Sequence, residues 1–304
     1  MTPAGGQPWL AQRERSNETG LRILVWIARR LGRRAGRVAL VPVCLYFLLF
    51  SVRARAASRD YLRRVLGKRP GAVDLARHYY AFATVALDRV FFLSDRWDLF
   101  DIEVQGEHAV RERSDHGRGC FLLGAHLGSF EALRAPARRR GLRVNLVMFE
   151  DNARNTARVL RTVDPELAND VITLGVPESM LRLSERLSGG GWVGMLGDRV
   201  LDGGDHVNVP FLGGVAAFPT APFRIAAIAG QPIVFMVGLY RGGNRYEVHF
   251  EHLADAPARH GVDRDKAIPE LVRRYAARLE HYCRYAPYNW FNFYDFWLDE
   301  RPTR

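Results

Sequence analysis

From Gly106 onward the chain alternates short apolar runs with charged segments of helical spacing. The runs are CFLLGA (120–125), RVNLVMF (143–149), DVITLG (170–175), GWVGMLG (191–197), PIVFMVGLY (232–240) and YEVHFEHL (246–253). Between the first four lie helix-like segments near 129–140, 152–163 and 177–188. Apolar runs bounded by turn residues fit strands covered on both faces. Their alternation with helices predicts an α/β fold, a mainly parallel twisted sheet flanked by helices. RGGN (241–244) predicts a turn that makes the last two strands an antiparallel pair. Helical spacing also marks RDYLRRVLG and DLARHYYAFATVALDRVFFL within 58–100, interrupted by RPG at 69–71. The stretch 263–287 predicts a long amphipathic helix ended near Pro287. No internal repeat or low-complexity segment appears.

The first quarter of the chain reads differently. VALVPVCLYFLLFSV (38–52) is fifteen residues without a charge, bounded by Arg37 and Arg53. A helix crossing the hydrocarbon core needs about 20 apolar residues, so this run is short for a span. It also starts late for a signal peptide and lacks a small-x-small cleavage site. An apolar helix embedded in one face of a membrane, with arginines reaching the headgroups, fits it. LRILVWIARRLGRR (21–34) predicts a second amphipathic piece of the same anchor. The alternative is a buried core helix with solvated charged flanks. The expected organisation is therefore an anchor over 1–57 and an α/β domain over 58–304, within what 304 residues allow.

Charge strengthens the membrane expectation. The formal net charge is +11, yet residues 1–70 hold fifteen Arg and Lys against three acids. The rest of the chain is balanced to within one charge. Such asymmetry points to a polyanionic surface, and the apolar run inside the basic region favours anionic lipid over nucleic acid. No nucleic-acid-binding motif accompanies the charge. Cys44, Cys120 and Cys283 are too scattered for a metal motif or a disulfide framework, which suits a reducing cytoplasm.

GGGWVG satisfies G-x-G-x-x-G through Gly189, Gly191 and Gly194, but it follows a helix and opens a strand. A dinucleotide site needs the reverse order, so this is a helix-to-strand turn. No P-loop, G-x-S-x-G elbow or H-E-x-x-H occurs. No metal or nucleotide cofactor is expected.

GAHLGSFEALR (124–134) is the candidate chemistry. A strand ending at Ala125 leaves His126 in the turn at the carboxyl edge of the sheet, where open α/β sheets bind ligands. Gly128 or Ser129 then caps a helix whose first turn holds Glu131, a position the helix dipole favours for a carboxylate. Outside that helix, His126 can meet Glu131, which would fix its tautomer and make it a general base. The alternative is a turn histidine beside a solvated glutamate.

His126-Leu-Gly-Ser-Phe-Glu131 resembles the H-x4-D/E motif of glycerolipid acyltransferases. Further pieces resemble the lipid A biosynthesis late acyltransferases in order: RAASRDYLRRVLG (55–67), ARNTARVLR (153–161), WVGMLGDR (192–199), VNVPFLGGVAAFPTAPFRIAAIAGQPIV (207–234) and PYNWFNFYDFW (287–297). The resemblance covers most of the chain. It departs where the family often has Asp-Gln and this chain has Asp198-Arg199, and in the aromatic C-terminal motif, which lacks the family's arginine.

The resemblance implies transfer of a fatty acyl chain from an acyl thioester, on acyl carrier protein or coenzyme A, to a hydroxyl of a membrane glycolipid such as a lipid A precursor. The expected location is the cytoplasmic face of the inner membrane. His126 would be the base and Glu131 its orienting partner. Arg154, Asp198 and Arg199 would meet substrate, through bidentate contacts in the case of the arginines. Arg199 could instead pair with Asp198 or Asp202. Phe211, Gly213 and Thr220, in the VPFLGG and FPTAPF loops, would line an acyl or acceptor cleft. Alternative acceptors are a lysophospholipid, an amino-acid lipid or a polyene lipid. A non-catalytic protein that binds membrane surfaces is the alternative of another class.

Overall fold

In the computed structural model, seven strands form one sheet in the order β1-β9-β8-β2-β5-β3-β4. The structure describes residues 18–116, 118–139, 144–149, 170–174, 178–201, 203–257 and 261–298. The strands are β1 (Asp101–Gln105), β2 (Cys120–Gly124), β3 (Val144–Phe149), β4 (Val171–Leu174), β5 (Trp192–Leu196), β8 (Ile233–Tyr240) and β9 (Arg245–Ala254). All neighbours pair in parallel except β8 and β9, joined through the expected turn. A separate antiparallel hairpin joins β6 (His206–Phe211) to β7 (Gly214–Pro219).

The apolar runs behave as strands because both their faces are covered. In β2, Phe121 and Leu123 enter one core cluster while Cys120 and Leu122 enter the other. The first face is closed by α6 (Ser179–Ser188), α7 (Ala221–Ala229) and α8 (Gly261–Tyr285). The second is closed by α3 (Ala72–Leu93), α4 (His108–Asp115) and α5 (Arg134–Arg139). All three cysteines are buried. The helix expected near 152–163, with Arg154 and ARNTARVLR, lies outside the described residues.

The N-terminal region forms α1 (Glu18–Phe50), broken by non-helical geometry at Gly32, and α2 (Val52–Leu66). The segment Arg30–Phe50 meets α2 at 95°. Among the described residues no single helix is long and apolar enough to cross a membrane; only this bent pair passes together. The boundary expected after residue 57 falls inside α2. Moreover, α1 is tied to the α/β body. Arg33 makes a bidentate pair with the fully buried Asp88 of α3, 2.6 Å at each oxygen, and also donates to the Gly243 carbonyl at 2.7 Å. Leu40 packs with Leu87 and Phe91 of α3.

Candidate active site

His126 stands in the turn after β2, as the apolar run predicts. That turn is held by a close approach that only glycine allows. Gly128 has φ +71°, and a Cβ there would lie 2.0 Å from the Gly238 carbonyl oxygen of β8. Ser129 donates its N–H to the same oxygen at 2.7 Å, and its Oγ accepts the Ala132 N–H at 3.2 Å. Ser129 thus bonds into a short 3-10 turn, Glu131–Leu133, whose N-cap position is Phe130, and the helix expected to hold Glu131 begins only at Arg134.

The pairing expected between His126 and Glu131 does not form. His126 Nδ1 lies 2.8 Å from Asp198 Oδ1, and its backbone N–H donates to Asp198 Oδ2 at 3.0 Å. Asp198 Oδ2 also accepts the Trp290 indole N–H at 3.0 Å. Glu131, 7% exposed, faces Arg89 of α3, with Nε 2.6 Å from Oε1. This contact is an ion pair without the alignment of a hydrogen bond. The physical reason is parallel pairing. Gly124 of β2 is level with Leu196 of β5, so the residues two positions beyond each strand end come together. Asp198 occupies that place, and Arg89 claims Glu131 from the side.

A carboxylate only accepts, so Nδ1 carries the proton and Nε2 is left as a base. Burial, then the Arg199 charge, lower the His126 pKa from its ordinary value, with Asp198 pulling the other way. Its side chain is still 32% exposed and lines a cavity, so the neutral base is accessible. Burial raises the Asp198 carboxyl, but His126, Arg199 and the Trp290 N–H together outweigh it and hold it well below the usual carboxylate range.

The cavity measures about 700 Å³. Its apolar lining includes Phe82 and Val85 of α3, with Phe130, Leu146, Met148 and Gly194. The absence of a side chain at Gly194 makes room for Phe130, whose Cζ would be 2.8 Å from a Cβ there. Arg199, Gly204 and Pro219 also line the cavity. Arg199 Nε is buried with no hydrogen-bond partner, and Nη2 reaches the Phe291 carbonyl only at 3.4 Å. Among the described residues Arg199 forms no ion pair, so the expected alternative pairing with Asp198 is absent; Asp202 lies outside them.

Three cleft expectations need correction or refinement. Phe211 is fully buried in the core, its carbonyl accepting the Trp297 indole N–H at 2.9 Å, because the loop expected there is strand β6. Gly213, φ +75°, sits in the β6–β7 turn and is not in the cavity wall. Thr220 caps the start of α7 and is buried, while its neighbours Pro219, Ala221 and Pro222 line the cavity.

The C-terminal aromatic motif is a strap over the histidine turn. Phe291 donates its N–H to the His126 carbonyl at 2.8 Å, and Gly128 donates to the Asn289 carbonyl at 2.8 Å. The Asn289 amide clamps both backbone groups of Tyr240, at 2.7 and 3.1 Å. Sequence reasoning missed Asp198 as the imidazole's partner and missed Arg89 and Trp290 altogether. The first depends on the strand order that sets β2 beside β5, which the sequence does not state; nothing local marks the other two. Among the described residues no group of three His, Cys, Asp or Glu side chains could hold a metal ion.

Fold and site together define an α/β protein with a neutral, carboxylate-oriented histidine opening on a largely apolar cavity. The sequence model of the bacterial lipid A biosynthesis acyltransferases matches residues 20–299, and the chain belongs to that family. Membership makes it one of a family of acyltransferases for lipid A-type substrates. No curated protein matches the chain.

Proposed function

We propose that the protein transfers a fatty acyl chain from an acyl thioester, on acyl carrier protein or coenzyme A, to a hydroxyl of a membrane glycolipid. The observation that carries this reading is the His126–Asp198 pair, set in the wall of a largely apolar cavity. The acceptor hydroxyl gives its proton to Nε2 as its oxygen attacks the thioester carbonyl. Asp198 stabilises the imidazolium that forms. The tetrahedral oxyanion needs a donor. The Gly128 and Ser129 N–H groups are already bonded within the protein, whereas the Arg199 guanidinium, in the same cavity wall as His126, has its Nε unbonded and can serve as that donor. Collapse expels the thiolate, which takes the proton back from His126. No covalent acyl-enzyme is needed. Glu131 serves this site through Arg89, which it holds in the cavity wall.

The setting is the cytoplasmic face of the inner membrane. Val38, Val41, Leu45, Tyr46, Leu49 and Phe50 on α1, with Val52, are all exposed, and basic residues flank them. The opposite side of α1 packs on α3 through Leu40, and Phe82 of α3 is 44% exposed and lines the cavity. A lipid acceptor can therefore reach His126 from a bilayer into which α1 is embedded.

Mass spectrometry of total lipids from cells with the gene, without it, and with His126→Ala tests the reading. The expected result is a glycolipid one acyl chain lighter in the last two. Identical lipid profiles in all three would contradict it.

A further inference from the structure

We propose that His78, a residue of α3 outside the cavity wall, is a positioning residue that acts through Trp290 on the Asp198–His126 pair. The proposal rests on the acyl-transfer reading above.

His78 is completely buried. Its Nε2 lies 2.8 Å from the Trp290 carbonyl oxygen and its Nδ1 2.7 Å from Ser58 Oγ of α2. A carbonyl only accepts, so the proton sits on Nε2, and Nδ1 accepts the serine hydroxyl. Burial pushes the ring down to about 4, against the bond to the Trp290 carbonyl, so it is neutral in neutral solution. Phe293 stacks on it at 4.8 Å and 24°, and Tyr61 tilts against it at 5.4 Å. Both nitrogens and the ring face are thereby used, and the ring has one place to sit.

What it holds is the peptide of the residue that bonds Asp198. Trp290 receives from His78 at its carbonyl and donates to Asp198 Oδ2 through its indole. The next residue, Phe291, donates its N–H to the His126 carbonyl. A shift of the Trp290 peptide would act on the orienting carboxylate and on the base's own backbone together. A side chain that only filled space would be served by phenylalanine. The Trp290 carbonyl also accepts the Asn292 N–H at 2.9 Å, within the same strap, so His78 supplies the bond that ties this peptide to another element, and its two polar contacts set histidine apart. Buried polar chains of this kind hold geometry because each broken link leaves a group unsatisfied.

The test uses the purified full chain, palmitoyl-CoA as donor, and a total lipid extract from cells lacking the gene as acceptor. His78→Phe should lower kcat by about 10- to 100-fold with KM for the thioester unchanged, as misplaced catalytic groups do. His78→Gln, whose amide N–H can still reach the Trp290 carbonyl, should recover most of that loss. The double variant His78→Phe with Trp290→Phe should be no slower than Trp290→Phe alone, because both act on one route. Wild-type kcat in His78→Phe, or losses that multiply in the double variant, would overturn the proposal. Should His78→Phe fail to fold, His78→Asn, which reaches only toward Ser58, replaces it; equal kcat for the Asn and Gln variants would then overturn the proposal. Wild-type protein without transfer activity from either palmitoyl-CoA or palmitoyl-acyl carrier protein, or activity untouched by His126→Ala, would instead remove the underlying reading.

Discussion

His126 and Asp198 stand side by side because each lies two residues beyond the end of neighbouring parallel strands. Gly124 pairs with Leu196, and the backbone and imidazole N–H groups of His126 both reach the one carboxylate, at 3.0 and 2.8 Å. The geometry follows from strand register and would survive changes in the loops. It also separates the two carboxylates near the site into different tasks, Asp198 on the base and Glu131 on Arg89.

The first prediction concerns pH. The His126 pKa is lowered, so the active neutral base should persist below the ordinary histidine value of about 6.5. The acid limb of kcat/KM should therefore fall below that value, as a property of the coupled pair. Arg199 lowers the pKa and Asp198 raises it. Arg199→Gln should accordingly move the limb to higher pH and Asp198→Asn to lower pH. Movement of both variants in the same direction would show that these charges do not act on the titrating group.

Much of this arrangement was legible before the structure. The runs at 120–124 and 192–196 announce strands because each is apolar on both faces, and the turn after the first announces His126. The partner was not legible from spacing, since contact between positions 126 and 198 needs the strand order. Glu131 invited the wrong pairing because it is near in sequence, while Arg89 arrives from a separate helix. Strand β1, DIEVQ, escaped because an edge strand exposes alternate residues and carries only two apolar ones. The β6–β7 hairpin escaped because its two-residue turn is Leu212-Gly213, without the Asn or Asp that usually marks such turns. Leu212 holds a φ of +49° there, with its N–H bonded to Glu280 at 2.6 Å.

The second prediction is that the N-terminal helix is part of the folded body. Arg33→Ala would strand Asp88 in the core with Tyr246 as its remaining hydrogen-bond donor. Removing one partner of a buried ion pair costs about 3–5 kcal/mol. Denaturant unfolding of this variant should show that loss, and removal of residues 1–57 should be worse because it also cuts α2. A change within about 0.5 kcal/mol, the range of ordinary surface substitutions, would mean that α1 is not docked this way.

Acyl-chain choice gives the third. Gly194→Ala would place a Cβ against Phe130, which must move within the cavity's apolar lining. Across a series of saturated acyl thioesters, this variant should lose the longest chains first while keeping short-chain turnover. A uniform fall at every length would show that this part of the cavity does not receive the acyl chain.

For the membrane, vesicles containing anionic lipid supply the fourth. Basic side chains near such a surface gain about 1 kcal/mol each, which salt screens, whereas apolar burial persists. Wild-type protein should stay bound in high salt, and Leu45→Glu with Phe50→Glu should release it there. Release of the wild type by salt alone would leave only an electrostatic association and end the embedded-helix reading.

The most direct test of the central claim compares Asp198→Asn with Glu131→Gln in the same acyl-transfer assay, beside His126→Ala as the floor. Loss of a positioned general base removes about 10²–10⁴ in rate. If Asp198 orients the base, Asp198→Asn should fall most of the way to that floor, while Glu131→Gln, which only loosens Arg89, should stay well above it. A Glu131→Gln variant as slow as His126→Ala, with Asp198→Asn near wild type, would contradict the account.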